Sequence, residues 1–164
     1  MKTLYLMRHA KSDWLAGVQS DFDRPLNERG RREATEMGDF LCTRPSPPER
    51  VVSSSALRAR QTTEQVFLQT GWSPEKLLFE SSLYMASLRT LIEICEAESH
   101  YQSLLILGHN PGLDDLLVFL CGEDVERTHN GELFTTANIA VIELADGVID
   151  QKQNSQLIEL RRPQ

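Results

Sequence analysis

The chain is poor in the features that mark several large classes of protein. Its three cysteines, Cys42, Cys95 and Cys121, show no CxxC spacing in 164 residues. No secretory leader pattern precedes the first apolar run. The thiols therefore read as reduced and mostly buried, in a cytoplasmic protein. No apolar run approaches the ~20 residues needed to cross a bilayer. Positive charge is in deficit, with a formal net charge of -7. That argues against nucleic acid or an anionic membrane as partner. It leaves room for a local basic pocket, because a site's field is set mostly by its nearest charges. Familiar catalytic signatures are missing too. There is no GxxxxGK[ST] nucleotide loop and no Gly-x-Ser-x-Gly elbow. There is no HxH, HExxH or Cys/His quartet, and His100 and His129 sit in no ligand-like spacing, so no metal is expected.

What is present is ordinary in bulk and specific in detail. Hydrophobic residues make up 40% and charged residues 25%, as in a soluble globular protein. The length suits one domain, residues 1–164, with a substantial core, and a monomer is the default at this size. Residues 3–8 read as a short buried strand and residues 10–27 as a long irregular loop, which calls for a function. Asn27 caps a helix running to about Leu41, with Ala34, Met37, Gly38 and Leu41 as its buried stripe. Val51-Val52-Ser53 reads as a strand. Ser55 or a neighbouring serine caps the next helix, Ala56 to Gln69, which Gly71 ends. Leu77-Leu78-Phe79 reads as a strand, 87–99 as a helix, 103–108 as a strand and 112–121 as a helix. Asp114 and Asp115 suit the start of that last helix. Ala137–Leu144 and Gln156–Leu160 read as paired antiparallel edge strands around an Asp146-Gly147 turn. This order implies an α/β/α fold: a mostly parallel central sheet with an antiparallel edge and helices on both faces.

Four segments could carry chemistry. The first strand ends in Arg8-His9, a guanidinium beside an imidazole, at the sheet edge where open α/β folds place ligands. An unprotonated imidazole is a good nucleophile, and arginine binds phosphate through a planar fork. The strand Leu104–Leu107 ends similarly, in Gly108-His109-Asn110-Pro111-Gly112, where the glycines would allow a tight turn and close backbone approach. Ser53 to Thr62 turns a strand into a helix with Arg58 in its first turn, where anions are favoured. Asp23-Arg24-Pro25-Leu26 could bring a further guanidinium over the pocket mouth. Each alone has a plain structural reading, a capping histidine or a solvated arginine. Together they converge Arg8, His9, Arg58 and His109 on one anion, with phosphate as the natural counter-ion.

In this order the segments resemble the histidine phosphatase superfamily, of phosphoglycerate mutase-like fold, and within it the small phosphohistidine phosphatases of the SixA type. The resemblance runs through Leu4–Ala10, Asp23–Gly30, Val52–Thr62, Leu83-Tyr84, Leu105–Leu113 and Phe134–Ala137. It implies that His9 attacks phosphorus and is transiently phosphorylated. It implies that Arg8, Arg58 and His109 surround the non-bridging oxygens, and that Arg24 binds the phosphoryl group or steers substrate. Ser12, just after the nucleophile, is placed with Arg24 in the substrate site. Water then releases inorganic phosphate, with no metal or organic cofactor.

Two positions depart from the family pattern. Ala10 stands where the family has glycine, which would be strained by roughly 1–2 kcal/mol if that position needed positive φ. The Leu83-Tyr84-Met85-Ala86 stretch lacks the carboxylic acid that many superfamily members place after Leu-Tyr, and Glu80 nearby matches no motif. A general acid is typically worth about 10²–10⁴ in rate and matters most for a poor alkoxide leaving group. Its absence favours a phosphohistidine-bearing protein as substrate. The alternatives are a small-molecule phosphomonoester phosphatase and a non-catalytic phosphoprotein-binding regulatory module.

Overall fold

In the computed structural model, residues 1–150 and 155–164 are described. The apolar first run forms β1 (Thr3–Arg8). It is followed by α1 (Glu28–Cys42), β2 (Arg50–Ser54), α2 (Leu57–Thr70), β3 (Leu77–Glu80), α3 (Leu88–Ala97), β4 (Ser103–Gly108), α4 (Gly112–Cys121), β5 (Ile139–Glu143) and β6 (Gln156–Arg161). The six strands form one sheet in the order β3-β2-β4-β1-β5-β6. The first four run parallel. β5 pairs antiparallel with β1, and β6 antiparallel with β5. The expected mixed sheet is therefore present, with one refinement: β5 is interior, and β6 alone forms that edge.

Strand periodicity divides the core in two. Leu4 and Leu6 of β1 and Leu104 and Ile106 of β4 face the cluster containing Leu91, Cys95 and the leucines of α4. Their neighbours Tyr5, Met7, Leu105 and Leu107 face Ala34, Met37 and Leu41 of α1 and Ala59 and Val66 of α2. β1 and β4 are apolar through Leu4–Met7 and Leu104–Leu107 because both their faces are covered. The chain leaves β1 towards one face and β4, its neighbour, towards the other. The two strands thus flank a topological switch point, where their carboxyl ends splay open.

The helices begin and end as the sequence predicts, with one exception. The Asn27 side chain accepts a hydrogen bond from Gly30 N at 2.8 Å and caps α1. Ser87 caps α3, and Gly71 ends α2 in the left-handed region. No serine caps α2, whose N-cap is Ala56 without a side-chain bond. The serine oxygens are committed elsewhere: Ser53 Oγ is bonded to Ser54 O and Thr63, and Ser54 Oγ to His109.

The 10–27 segment is less free than a loop of that length suggests. Ser12 and Leu26 form an antiparallel bridge. Asp13 N donates to Pro25 O at 2.8 Å and Asn27 N to Lys11 O at 3.1 Å. A short 3-10 turn, Asp21–Asp23, occupies its middle. Gly30 lies so close beneath this arm that a Cβ there would stand 2.0 Å from Lys11 O.

Candidate active site

The backbone around His9 is fixed from four directions. His9 N donates to Gly108 O at 3.1 Å, and Ala137 N donates to His9 O at 3.0 Å. Arg8 N donates to Asn138 O at 3.1 Å. Ala10 N donates to Thr62 Oγ1 at 3.0 Å, and that hydroxyl donates to Arg58 O. Ala137 holds a left-handed φ of 59° to make its bond, a local strain of the kind that persists where surrounding structure imposes it. Ala10 needs no such φ. Its departure from the family glycine is accommodated without backbone strain, and the residue is fully buried.

These bonds determine which nitrogen of His9 can react. Nδ1 lies 2.8 Å from Ala10 O. A carbonyl can only accept, so Nδ1 carries the proton and Nε2 the lone pair. Arg58 Nε donates to that same Nε2 at 3.3 Å. Burial pushes the His9 pKa well below its ordinary value, and His109, Arg58 and Arg8 add to the shift. The ring is therefore neutral at physiological pH.

His109 stands against His9, with ring centroids 5.1 Å apart. Its Nε2 is 2.7 Å from Ser54 Oγ. Ser54 Oγ accepts from Ala56 N, which leaves its own hydrogen to donate to Nε2. With Ser54 as the donor the proton sits on His109 Nδ1, which is buried and has no hydrogen-bond partner among the described residues. Burial, then Arg58, lowers its pKa to about 3. Arg8 donates to Phe134 O at 2.9 Å and lies 3.9 Å from Glu132. Asp114 holds that carbonyl's segment in place by accepting from Leu133 N and Phe134 N. The expected helix-starting acid thus serves as a brace for the neighbouring loop.

Arg8, His9, Ser12, Arg24, Arg58 and His109 all line one cavity of about 230 Å³. Arg24 is buried, with Trp14 stacked 3.6 Å from its guanidinium carbon. Arg60 stays outside, over Phe79. The glycines around His109 act differently from expectation. Gly108 has no positive φ. At Gly112 a Cβ would meet Ala86 O at 2.5 Å, so this glycine seats a neighbouring loop, and not a ligand.

Sequence reasoning missed Asp21, the one carboxylate lining the cavity among the described residues. Its Oδ1 accepts from Arg24, and its Oδ2 from Arg58 Nη2 at 2.9 Å and Tyr84 OH at 2.7 Å. The arginine cluster thus carries an internal counter-ion beside any anion it binds. Those hydrogen bonds, Tyr84 first and then Arg24, hold the Asp21 carboxyl far below the usual carboxylate range. It is ionised and has no proton to donate. Met85, from the stretch after Leu83-Tyr84, lines the cavity, and Glu80, which does not, caps the Ser81–Leu83 turn. Among the described residues, no group of three or more His, Cys, Asp or Glu could hold a metal ion. No described helix is long and apolar enough to cross a membrane.

A histidine, two arginines and a second histidine at the strand ends of a doubly wound sheet define a site for nucleophilic transfer of an anionic group. Residues 4–83 match the histidine phosphatase superfamily (branch 1). The candidate phosphohistidine phosphatase SixA of Agrobacterium tumefaciens is 31% identical, with a TM-score of 0.83 over 99% of both chains. The protein histidine phosphatase SixA, solved with tungstate, is 26% identical, with a TM-score of 0.79 over 98% of this chain and 97% of that one. The uncharacterized protein Rv1276c of Mycobacterium tuberculosis (strain ATCC 25618 / H37Rv) is 35% identical over 85% of this chain and 87% of its own. The chain belongs to the histidine phosphatase superfamily and is a hydrolase acting on phosphoryl groups.

Proposed function

We propose that the chain is a cytoplasmic, monomeric, single-domain phosphohistidine phosphatase working through phosphorylation of His9. The carrying observation is the fixed tautomer: Nδ1–H donates to Ala10 O, so the lone pair of Nε2 faces the guanidinium of Arg58. Nε2 attacks phosphorus as the bond from phosphorus to the substrate imidazole breaks, and the departing ring takes a proton from water. A second water attacks phospho-His9, releases inorganic phosphate and returns the electron pair to Nε2. Arg8, Arg58 and the unpartnered Nδ1–H of His109 stabilise the equatorial oxygens, as phosphoryl transfer requires. Arg24 and Ser12 complete the binding site from the arm. No metal or organic cofactor takes part.

Two observations favour phosphohistidine over ordinary phosphate esters. The one carboxylate in the cavity is ionised, so no acid is at hand for an alkoxide, whereas imidazole leaves phosphorus more readily. The structural relatives include a candidate phosphohistidine phosphatase SixA and a protein histidine phosphatase SixA. The test is mass spectrometry under mildly alkaline conditions, after brief mixing with a phosphohistidine-bearing protein. A transient phosphate on the His9 peptide is expected, with phosphate release lost in His9→Ala. Equal turnover of an alkyl phosphate and phosphohistidine would overturn the substrate class.

A further inference from the structure

Asp21 is placed to do more than neutralise charge. A guanidinium has two edges that can form a fork. The terminal edge of Arg58 is occupied: Nη1 donates to Asp21 O at 2.7 Å and Nη2 to Asp21 Oδ2 at 2.9 Å. Its lateral edge, Nε–H with the second Nη2 hydrogen, is left on the His9 side, where Nε lies 3.3 Å from Nε2. Arg24 is spent differently. Its own lateral edge, Nε at 3.3 Å and Nη2 at 2.9 Å, goes to Asp21 Oδ1, and its Nη1 donates to Ser12 Oγ. Tyr84 OH supplies a further donor, to Oδ2.

We propose that Asp21 is a positioning residue for phosphoryl transfer: by gripping the terminal edge of Arg58 it aims the lateral edge at the oxygens of a phosphoryl group joined to His9 Nε2. The assignment rests on the phosphatase reading above. A free arginine head samples many orientations, whereas one held at two points by a single residue keeps its remaining edge in one direction. Arg24, besides lining the cavity, orients Asp21 through Oδ1, and Tyr84 does so through Oδ2.

The alternative is that Asp21 merely pins the arm, and a double-mutant cycle separates the two. The probe is phosphoimidazole, and the readouts are the rate of His9 phosphorylation and KM. Asp21→Asn is expected to slow phosphorylation about 100-fold, the scale of a 1 Å misplacement, with KM changed far less. In an Arg58→Ala background the same substitution is expected to cost nothing further. Asp21→Glu keeps the charge but lengthens the grip by one methylene. It is expected to lose rate as Asp21→Asn does, whereas an arm pin would tolerate it, so the claim stays testable should the asparagine variant fail to fold. Additive losses in the cycle, or full activity in Asp21→Glu, overturn the assignment and leave the phosphatase reading standing. A wild-type chain that neither turns over phosphoimidazole nor binds orthovanadate overturns both.

Discussion

Gly30→Ala sets two opposing effects against each other, and the geometry decides the sign. Alanine is the better helix former, by roughly 1 kcal/mol over glycine in a helix interior. Gly30 lies in the first turn of α1, so propensity alone makes the variant more stable. Its new Cβ, however, would stand 2.0 Å from Lys11 O, 2.9 Å from Lys11 C and 3.0 Å from Lys11 N. All three are backbone atoms, which no rotamer change can move aside. Relief requires the arm to lift by more than about 1 Å, since carbon and oxygen rest at roughly 3.2 Å or more. That movement breaks the 3.1 Å bond from Asn27 N to Lys11 O, worth about 1 kcal/mol. Overpacking adds about 1–3 kcal/mol. The net expectation is a loss of about 1–3 kcal/mol, or a fall in Tm of roughly 2–12 °C at this chain length. Lys11 follows His9 by two residues, so the shift also reaches the nucleophile, and kcat/KM is expected to drop about 100-fold. Thermal unfolding by circular dichroism and phosphate release report the two effects separately. A variant with raised Tm and unchanged kcat/KM would refute the argument that this contact sets the arm's height.

Three other perturbations have definite expected outcomes. His109 is neutral in the folded state with a pKa of about 3, whereas its unfolded value is 6.5. The unfolded chain therefore binds the extra proton between those values, and stability falls as pH drops below about 6.5. His109→Asn is expected to flatten Tm between pH 7 and pH 5, measured by scanning calorimetry, and an unchanged slope counts against it. Ser54→Ala removes the partner of both His109 Nε2 and Ala56 N; kcat should fall about 10-fold and Tm by roughly 2–12 °C, since a buried polar group left unsatisfied costs about 1–3 kcal/mol. Ala10→Gly restores the residue usual in relatives at a position with no positive φ. It should lower stability by about 0.5–1 kcal/mol in denaturant unfolding and leave kcat unchanged; a gain in kcat would show that Ala10 strains the site.

The strand ends were legible in the sequence because fully buried parallel strands read as unbroken apolar runs, and the polar residues that terminate them stand out. Leu4–Met7 before Arg8-His9 and Leu104–Leu107 before Gly108-His109 are such cases. The stripe of α1 and the cap Asn27 were legible for a similar reason, since their signals lie within a few residues. Asp21 was not. It sits among several acids in a stretch without periodicity, and its partners Arg24, Arg58 and Tyr84 are joined to it by the fold. The role of Gly112 was misread because a glycine that admits a ligand and one that admits Ala86 O look alike in sequence. The commitment of Ser54 to His109 was equally hidden, because local rules assign a serine there to the helix that follows it.

The sheet order also fixes when the site can exist during synthesis. β1 emerges first, yet both its neighbours come late: β4 at Ser103–Gly108 and β5 at Ile139–Glu143. Such pairings cannot form until the intervening chain is available, and they close slowly. A growing polypeptide therefore carries His9, the proposed nucleophile, before it carries the strands that bury it. The buried, oriented and cation-flanked His9 appears only after the segment carrying Asn138, whose carbonyl accepts from Arg8 N, has left the ribosome. On the proposed mechanism, phosphoryl transfer through His9 therefore waits on β5, the last strand to pair with β1.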